Sequence, residues 1–229
     1  MFLSYSFVAS THVSLTGDVE SMRTISSEER DKYTGAVQEY LNNNPFQRFA
    51  FALNENSLTS FVSDRYAEVR DVEMMGISGF GEYAFDIEAR KPVASWRMAG
   101  ETFFVDDRGV AFKENLYNDP GVDIVDNSGA RSEEGDVLIS SSFLRFVGRA
   151  ISFSAQRGYT VTEVTIPPLA FRQVEFTIEG LPYKILMTTS RNAGVQVEDM
   201  DNAIKHFTSQ GRNPSYIDVR VEGNAVFRD

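Results

Sequence analysis

Between Glu82 and Ala89 apolar and polar residues alternate strictly, with Tyr83, Phe85 and Ile87 on one side. Only a strand buried on one face satisfies a period of two. Earlier, Tyr33, Val37, Tyr40 and Leu41 recur at helical spacing. One element cannot carry both periods, so residues 1–90 read as strand, helix, helix, strand, strand. The first strand is Phe7 to Leu15, with Val13 and Leu15 inward, and it ends at Thr16-Gly17. Ser26 or Ser27 caps the first helix, with Glu28, Glu29 and Asp31 in its opening turn, and Asn42-Asn43-Asn44-Pro45 stops it. A second helix spans Ser57 to Tyr66, with Leu58, Phe61 and Val62 on one face. Strands follow at Glu68 to Met75 and Glu82 to Ala89. Gly76 to Gly81, between them, reads as a flexible hairpin loop; a phosphate loop needs a helix start that is missing here.

From Pro92 onward strands dominate. Phe103 to Val105 turns through Asp106-Asp107-Arg108-Gly109 and returns at Val110 to Phe112. The acidic, glycine-containing stretch from Asn115 to Asp136 reads as mobile. A helix carries Leu144, Val147 and Ile151; strands follow at Val161 to Ile166, Gln173 to Ile178 and Tyr183 to Thr188; a helix carries Val197, Met200, Ile204 and Phe207. The last alternating run, Tyr216 to Glu222, puts Ile217, Val219 and Val221 on one face. As a terminal strand it exposes unpaired backbone groups, blunted only by Asp218, Arg220 and Glu222. The expected fold is α+β in two domains, 1–90 and 91–229, the second mostly antiparallel with flanking helices and an exposed C-terminal edge strand.

Composition narrows the function. In 229 residues, 42% hydrophobic, the net charge is −11, with no basic stripe for nucleic-acid phosphates. With no cysteine there is no disulfide framework, thiolate metal site or cysteine nucleophile. The opening MFLSYSFVAS is too short to span a bilayer and lacks the basic start of a signal peptide. The chain is thus either cytoplasmic and soluble, or an ectodomain trimmed beside its anchor. His12 and His206 belong to no nucleophile motif. Asp106 and Asp107, with Glu101 nearby, form a turn or a carboxylate pair for glycoside chemistry. Asp119, Asp123 and Asp126 lack calcium-loop spacing, and Trp96 reads as core.

Three segments, in this order, resemble the FtsQ/DivIB family of bacterial cell-division proteins. Glu88-Ala89-Arg90-Lys91-Pro92-Val93-Ala94-Ser95-Trp96 is similar to the family's junction between POTRA and β domains. Phe103-Phe104-Val105-Asp106-Asp107-Arg108-Gly109-Val110-Ala111-Phe112 is similar to its apolar-Val-Asp-x-x-Gly-x-x-Phe hairpin, and Tyr216-Ile217-Asp218-Val219-Arg220-Val221 to its closing strand. The resemblance implies a POTRA domain over 1–90 and an FtsQ-type β domain over 91–229. It also implies a single-pass anchor in the bacterial cytoplasmic membrane, absent from this chain, that leaves this region extracytoplasmic at the division septum. The implied role is non-enzymatic scaffolding, without cofactor, metal or catalytic residue. The implied partners are FtsB/DivIC and FtsL, with other divisome components meeting the POTRA domain. FtsB/DivIC would add a strand to the edge formed by Arg220, Val221, Glu222 and Gly223, next to Tyr216. Arg172 and Arg220 would meet acidic partner residues, and Val226 and Phe227 are either a core strand end or an apolar contact. Two rivals are a POTRA-containing transport or assembly factor that binds extended polypeptides, and a wall-glycan enzyme using Asp106, Asp107 or Glu101.

Overall fold

The computed structural model describes residues 7–16, 21–79, 81–129, 133–170 and 172–228. Gly17 and Phe80, read above as turn and loop residues, lie outside this set, as do residues 1–6 of the opening segment and 130–132 of the acidic stretch. The fold is α+β, and the chain divides into two units: Met1–Lys91 with Phe112–Asn118, and Pro92–Ala111 with Asp119–Asp229.

The first unit runs β1 (Ser10–Thr16), α1 (Ser27–Asn43), two short 3-10 turns, α2 (Glu55–Ser63), β2 (Val69–Gly79) and β3 (Glu82–Ala89). Its sheet order is β1-β3-β2, with β1 parallel and β2 antiparallel to β3. Ser26 caps α1 in a reciprocal box with Glu29, which also pairs with Arg23. The predicted stripe of α1 is buried with Leu58 and Val62 of α2 against Val13, Phe85 and Ile87 of the sheet. Behind it the Glu68 carboxylate, only 2% exposed, accepts from Tyr33 Oη at 2.8 Å and Lys32 Nζ at 3.1 Å. Leu116 and Tyr117 complete this core. Their segment lies along residues 21–23, where the Arg23 amide donates to the Leu116 carbonyl at 3.0 Å.

The second unit adds β4 (Ala94–Met98), β5 (Glu101–Val105), β6 (Ala111–Phe112), β7 (Asp123–Asp126), α3 (Ser141–Gln156), β8 (Val161–Ile166), β9 (Gln173–Ile178), β10 (Lys184–Thr188), α4 (Ala193–Ser209), β11 (Tyr216–Val221) and β12 (Asn224–Arg228). All its strands join one nine-stranded sheet, ordered β12-β11-β10-β9-β8-β7-β4-β5-β6. Trp96, Ile124, Val164, Phe176, Ile185 and Ile217 share one buried core with Val147 of α3 and Met200 of α4. The strands' other residues carry half-exposed charge: Arg97 with Glu163, Lys184 with Glu175, and Arg220 with Asp218.

Several expectations need correction. The sheet of the second unit is mixed: β4–β5, β8–β9, β9–β10 and β11–β12 are antiparallel, as expected, but β4–β7, β7–β8 and β10–β11 are parallel. Helices cover only one face, so parallel strands here keep the polar–apolar alternation that usually marks antiparallel ones. The stretch 115–136 is not simply a mobile segment: it buries Leu116 and Tyr117 and supplies β7 to the middle of the sheet. Gly76 to Gly79 is strand, because slips in register at Met74/Gly76 and Ile77/Gly79 let β2 follow β3 past its glycines. Asp106 is buried and its Oδ1 accepts from the Arg108 and Val110 amides, as a turn residue does.

Two outcomes follow from the first unit. Tyr33→Phe leaves Glu68 buried with one donor fewer, and urea unfolding monitored in that unit should show a loss of about 1–3 kcal/mol. The Glu29 carboxyl, bonded by Arg23 and then by the Ser26 amide and hydroxyl, is held down to about 2 from 4.5. A depressed carboxyl contributes its full stabilisation above the unfolded value and loses it as pH falls through the folded one. Stability of the first unit should therefore decline between pH 4.5 and about 2, and Glu29→Gln should remove that part of the slope.

Candidate protein-interaction edge

The run Tyr216 to Glu222 is not the end of the sheet. Glu222-Gly223 forms a two-residue turn, and β12 folds back antiparallel on β11, pairing Arg228 with Tyr216, Phe227 with Ile217 and Val226 with Asp218. Gly223 takes φ +68°, which a side chain resists and glycine accepts. On its other side β11 pairs in parallel with β10. The backbone of Tyr216 to Asp218 is thus enclosed between two strands, so the predicted edge moves outward from β11 to β12.

β12 is an open edge of unusual make-up. Every second residue of an edge strand directs its N–H and C=O away from the sheet. No proline or lysine blunts β12, and its only basic residue is Arg228. Val226 is 50% exposed and Phe227 41%, with Val221 57% exposed beside the turn. Phe227 is also anchored: its ring meets Phe207 of α4 edge-to-face at 4.8 Å, and the Arg212 guanidinium lies 5.2 Å from its centroid. It is thus partly core and partly surface. The opposite edge, β6, has only two residues and is covered: the Ala111 amide donates to the Asp136 carbonyl at 2.9 Å, and the Leu138 amide to the Gly109 carbonyl at 3.0 Å.

The predicted site residues do not all play the expected parts. Arg172 is exposed just before β9 and makes no ion pair with any described residue. Arg220 is engaged within the chain: Nε and Nη2 donate to the two Asp218 oxygens at 2.9 and 2.6 Å, and Nη1 donates to Gln173. Burial pushes the Asp218 carboxyl up, but the Arg220 hydrogen bonds outweigh it and hold the group below its ordinary value. An incoming carboxylate must therefore compete for a fork already filled. Glu222 and Gly223 form the turn, and Tyr216 is half-buried at the start of β11. Asn224 to Arg228 as an edge strand is the feature that sequence reading missed. Its signal was Glu222-Gly223 between two β-rich runs, a two-residue hairpin turn.

Four carboxylates, Asp71, Glu73, Asp86 and Glu88, line one pocket on the sheet of the first unit, with no histidine among them. No group of three or more His, Asp or Glu among the described residues could hold a metal ion. His206 is exposed on α4 beside Gln210, and His12 is exposed on β1. No described helix is long and apolar enough to cross a membrane. No protein-family model matches this sequence, and no curated protein matches it either.

The Gly223 geometry is testable. Gly223→Ala puts a side chain at positive φ at a cost of about 1–2 kcal/mol, so amide exchange at Val226 to Arg228 should speed up about fivefold or more while β9 and β10 are unaffected.

Proposed function

We propose that this chain is a non-enzymatic scaffold of the FtsQ/DivIB type, whose partner docks by adding a strand to β12. The observation that carries this reading is the state of the sheet's two ends: β6 is short and covered, whereas β12 is open, unblunted and flanked by exposed Val221, Val226 and Phe227. Strand addition draws affinity from backbone bonds and selectivity from alternate side chains. The partner would be an extracytoplasmic segment of FtsB/DivIC, with FtsL in the same complex. Arg172, exposed without an ion pair among the described residues, is the better placed of the two predicted arginines to meet an acidic residue.

The order β1-α1-α2-β2-β3, with both helices packed on a β1-β3-β2 sheet, supports a POTRA reading of the first unit. Exposed Met75 and Ile77 on edge strand β2 suit it to further divisome contacts. The same residues favour a second reading, a transport or assembly factor that takes many extended polypeptides. The division role would set this chain at the septum, outside the cytoplasmic membrane and held by an anchor.

The test is a titration with the FtsB/DivIC and FtsL extracytoplasmic segments together, following backbone amides. Saturable binding should protect Asn224 to Arg228, and Val226→Lys, which blunts the exposed edge and faces Asp218 across the β11 pairing without repelling it, should weaken it about tenfold. Binding that leaves β12 unprotected, or none at all, overturns the proposal. Comparable protection by unrelated extended peptides would move the assignment to the transport reading.

A further inference from the structure

The first turns of α3 and the start of α4 lie together. β8 and β10 are both antiparallel to β9 and so run together, β7 runs with β8, and β11 with β10. α4 directly follows β10, so its start stands beyond the carboxyl end of that strand, and the first turns of α3 line the same cavity. Open α/β sheets take ligands at that position. A cavity of about 150 Å³ opens there, floored by Phe146 and Ala193 and rimmed by Ser142, Arg145, Arg149 and Arg191, with no carboxylate in its lining.

The three guanidiniums are an unusual group in a chain with 33 acidic and 22 basic residues. Arg191 is held in place, donating through Nη1 to the Val219 carbonyl and pairing through Nη2 with Asp199 at 3.2 Å. Buried Gln196 fixes the turn behind it, accepting from the Thr188 amide at 2.8 Å and donating to the Thr188 carbonyl at 2.9 Å. Arg145 and Arg149, one turn apart on α3, make no hydrogen bond or ion pair with any described residue. Like charges at that spacing repel. The first turns of α1 and α2 carry Glu28, Glu29 and Glu55, but those of α3 and α4 carry no acid. Uncompensated breaks of local rules mark functional positions.

We propose that this cavity binds a phosphate group, supplied by a soluble phosphate or by a lipid headgroup. Guanidinium forks match phosphate oxygens, and with Arg191 already paired to Asp199, Arg145 and Arg149 together leave two uncompensated charges, more than one carboxylate requires. Whole organic ligands occupy pockets of roughly 300–1,000 Å³, so this one takes the charged group and leaves the remainder of a larger molecule outside. The site is independent of the strand-addition proposal: β12 packs on Phe207, near the far end of α4.

The experiment follows the amide signals of Asn192 to Val195 in the full chain, in buffer free of oxyanions. Inorganic phosphate, pyrophosphate and acetate are titrated separately, as are vesicles of phosphatidylglycerol and of phosphatidylcholine. Phosphate or pyrophosphate should give saturable shifts below about 10 mM, with acetate much weaker. Arg149→Gln should weaken binding about tenfold, and Arg65→Gln in the first unit should change nothing. Saturation by phosphatidylglycerol vesicles alone, lost in Arg149→Gln, would assign the phosphate to a lipid. Arg145 and Arg149 are exposed and unpartnered among the described residues, so the variants should keep the fold. No saturable response to any phosphate source, an equal response to acetate, or undiminished affinity in the Arg145→Gln/Arg149→Gln double variant overturns the proposal.

Discussion

The second unit depends on the pairing of β7, a strand of four residues, with parallel neighbours on both sides. Without it the order β12 to β8 and the group β4-β5-β6 would be separate sheets, each with a new open edge. Parallel neighbours cannot be joined by a tight turn. The chain accordingly reaches β7 from β4 by way of β5, β6 and residues 112–118, which belong to the first unit, and leaves it for β8 through α3. Ile124 is fully buried under the helices, while on the other face Asp123 accepts from Ser95 and lies near Arg97, which also reaches Glu163. Half-exposed ion pairs of this kind add about 1 kcal/mol or less each. The joint is therefore held chiefly by backbone bonds and by burial of Ile124 between Trp96 and Val164.

The functional geography follows from α4. With β10 running beside β11, α4 starts beyond the carboxyl end of β10, where it meets the first turns of α3 and brings three arginines together. The far end of α4 supports the other feature, since Phe207 and Arg212 hold Phe227 on the open strand. One helix thus positions both a cationic cavity and a sheet edge, close to opposite ends of its 17 residues.

Much of the fold was legible because period and cap are local properties. The α1 capping box, its Tyr33–Leu41 stripe, the limits of β3, β8 and β9 and the Asp106 turn could all be read from neighbouring residues. β7 was not legible: Asp-Ile-Val-Asp is short, bracketed by acidic and glycine residues, and becomes a strand only because β4 and β8 offer their backbones. Gly76 to Gly79 was misread for the same reason, since the ladder with β3 overrides glycine's aversion to strands through slips in register.

The candidate edge divides along the same line. The sequence by itself determined that Tyr216 to Val221 is a one-faced strand and that Val226 and Phe227 are apolar. Only the tertiary structure decided that β11 lies inside the sheet and β12 at its margin, and that Arg145, Arg149 and Arg191, far apart along the chain, share one cavity. The physical reason is that a period of two states which face a residue turns to the core, whereas the neighbour that takes a strand's hydrogen bonds is settled by pairings between distant segments.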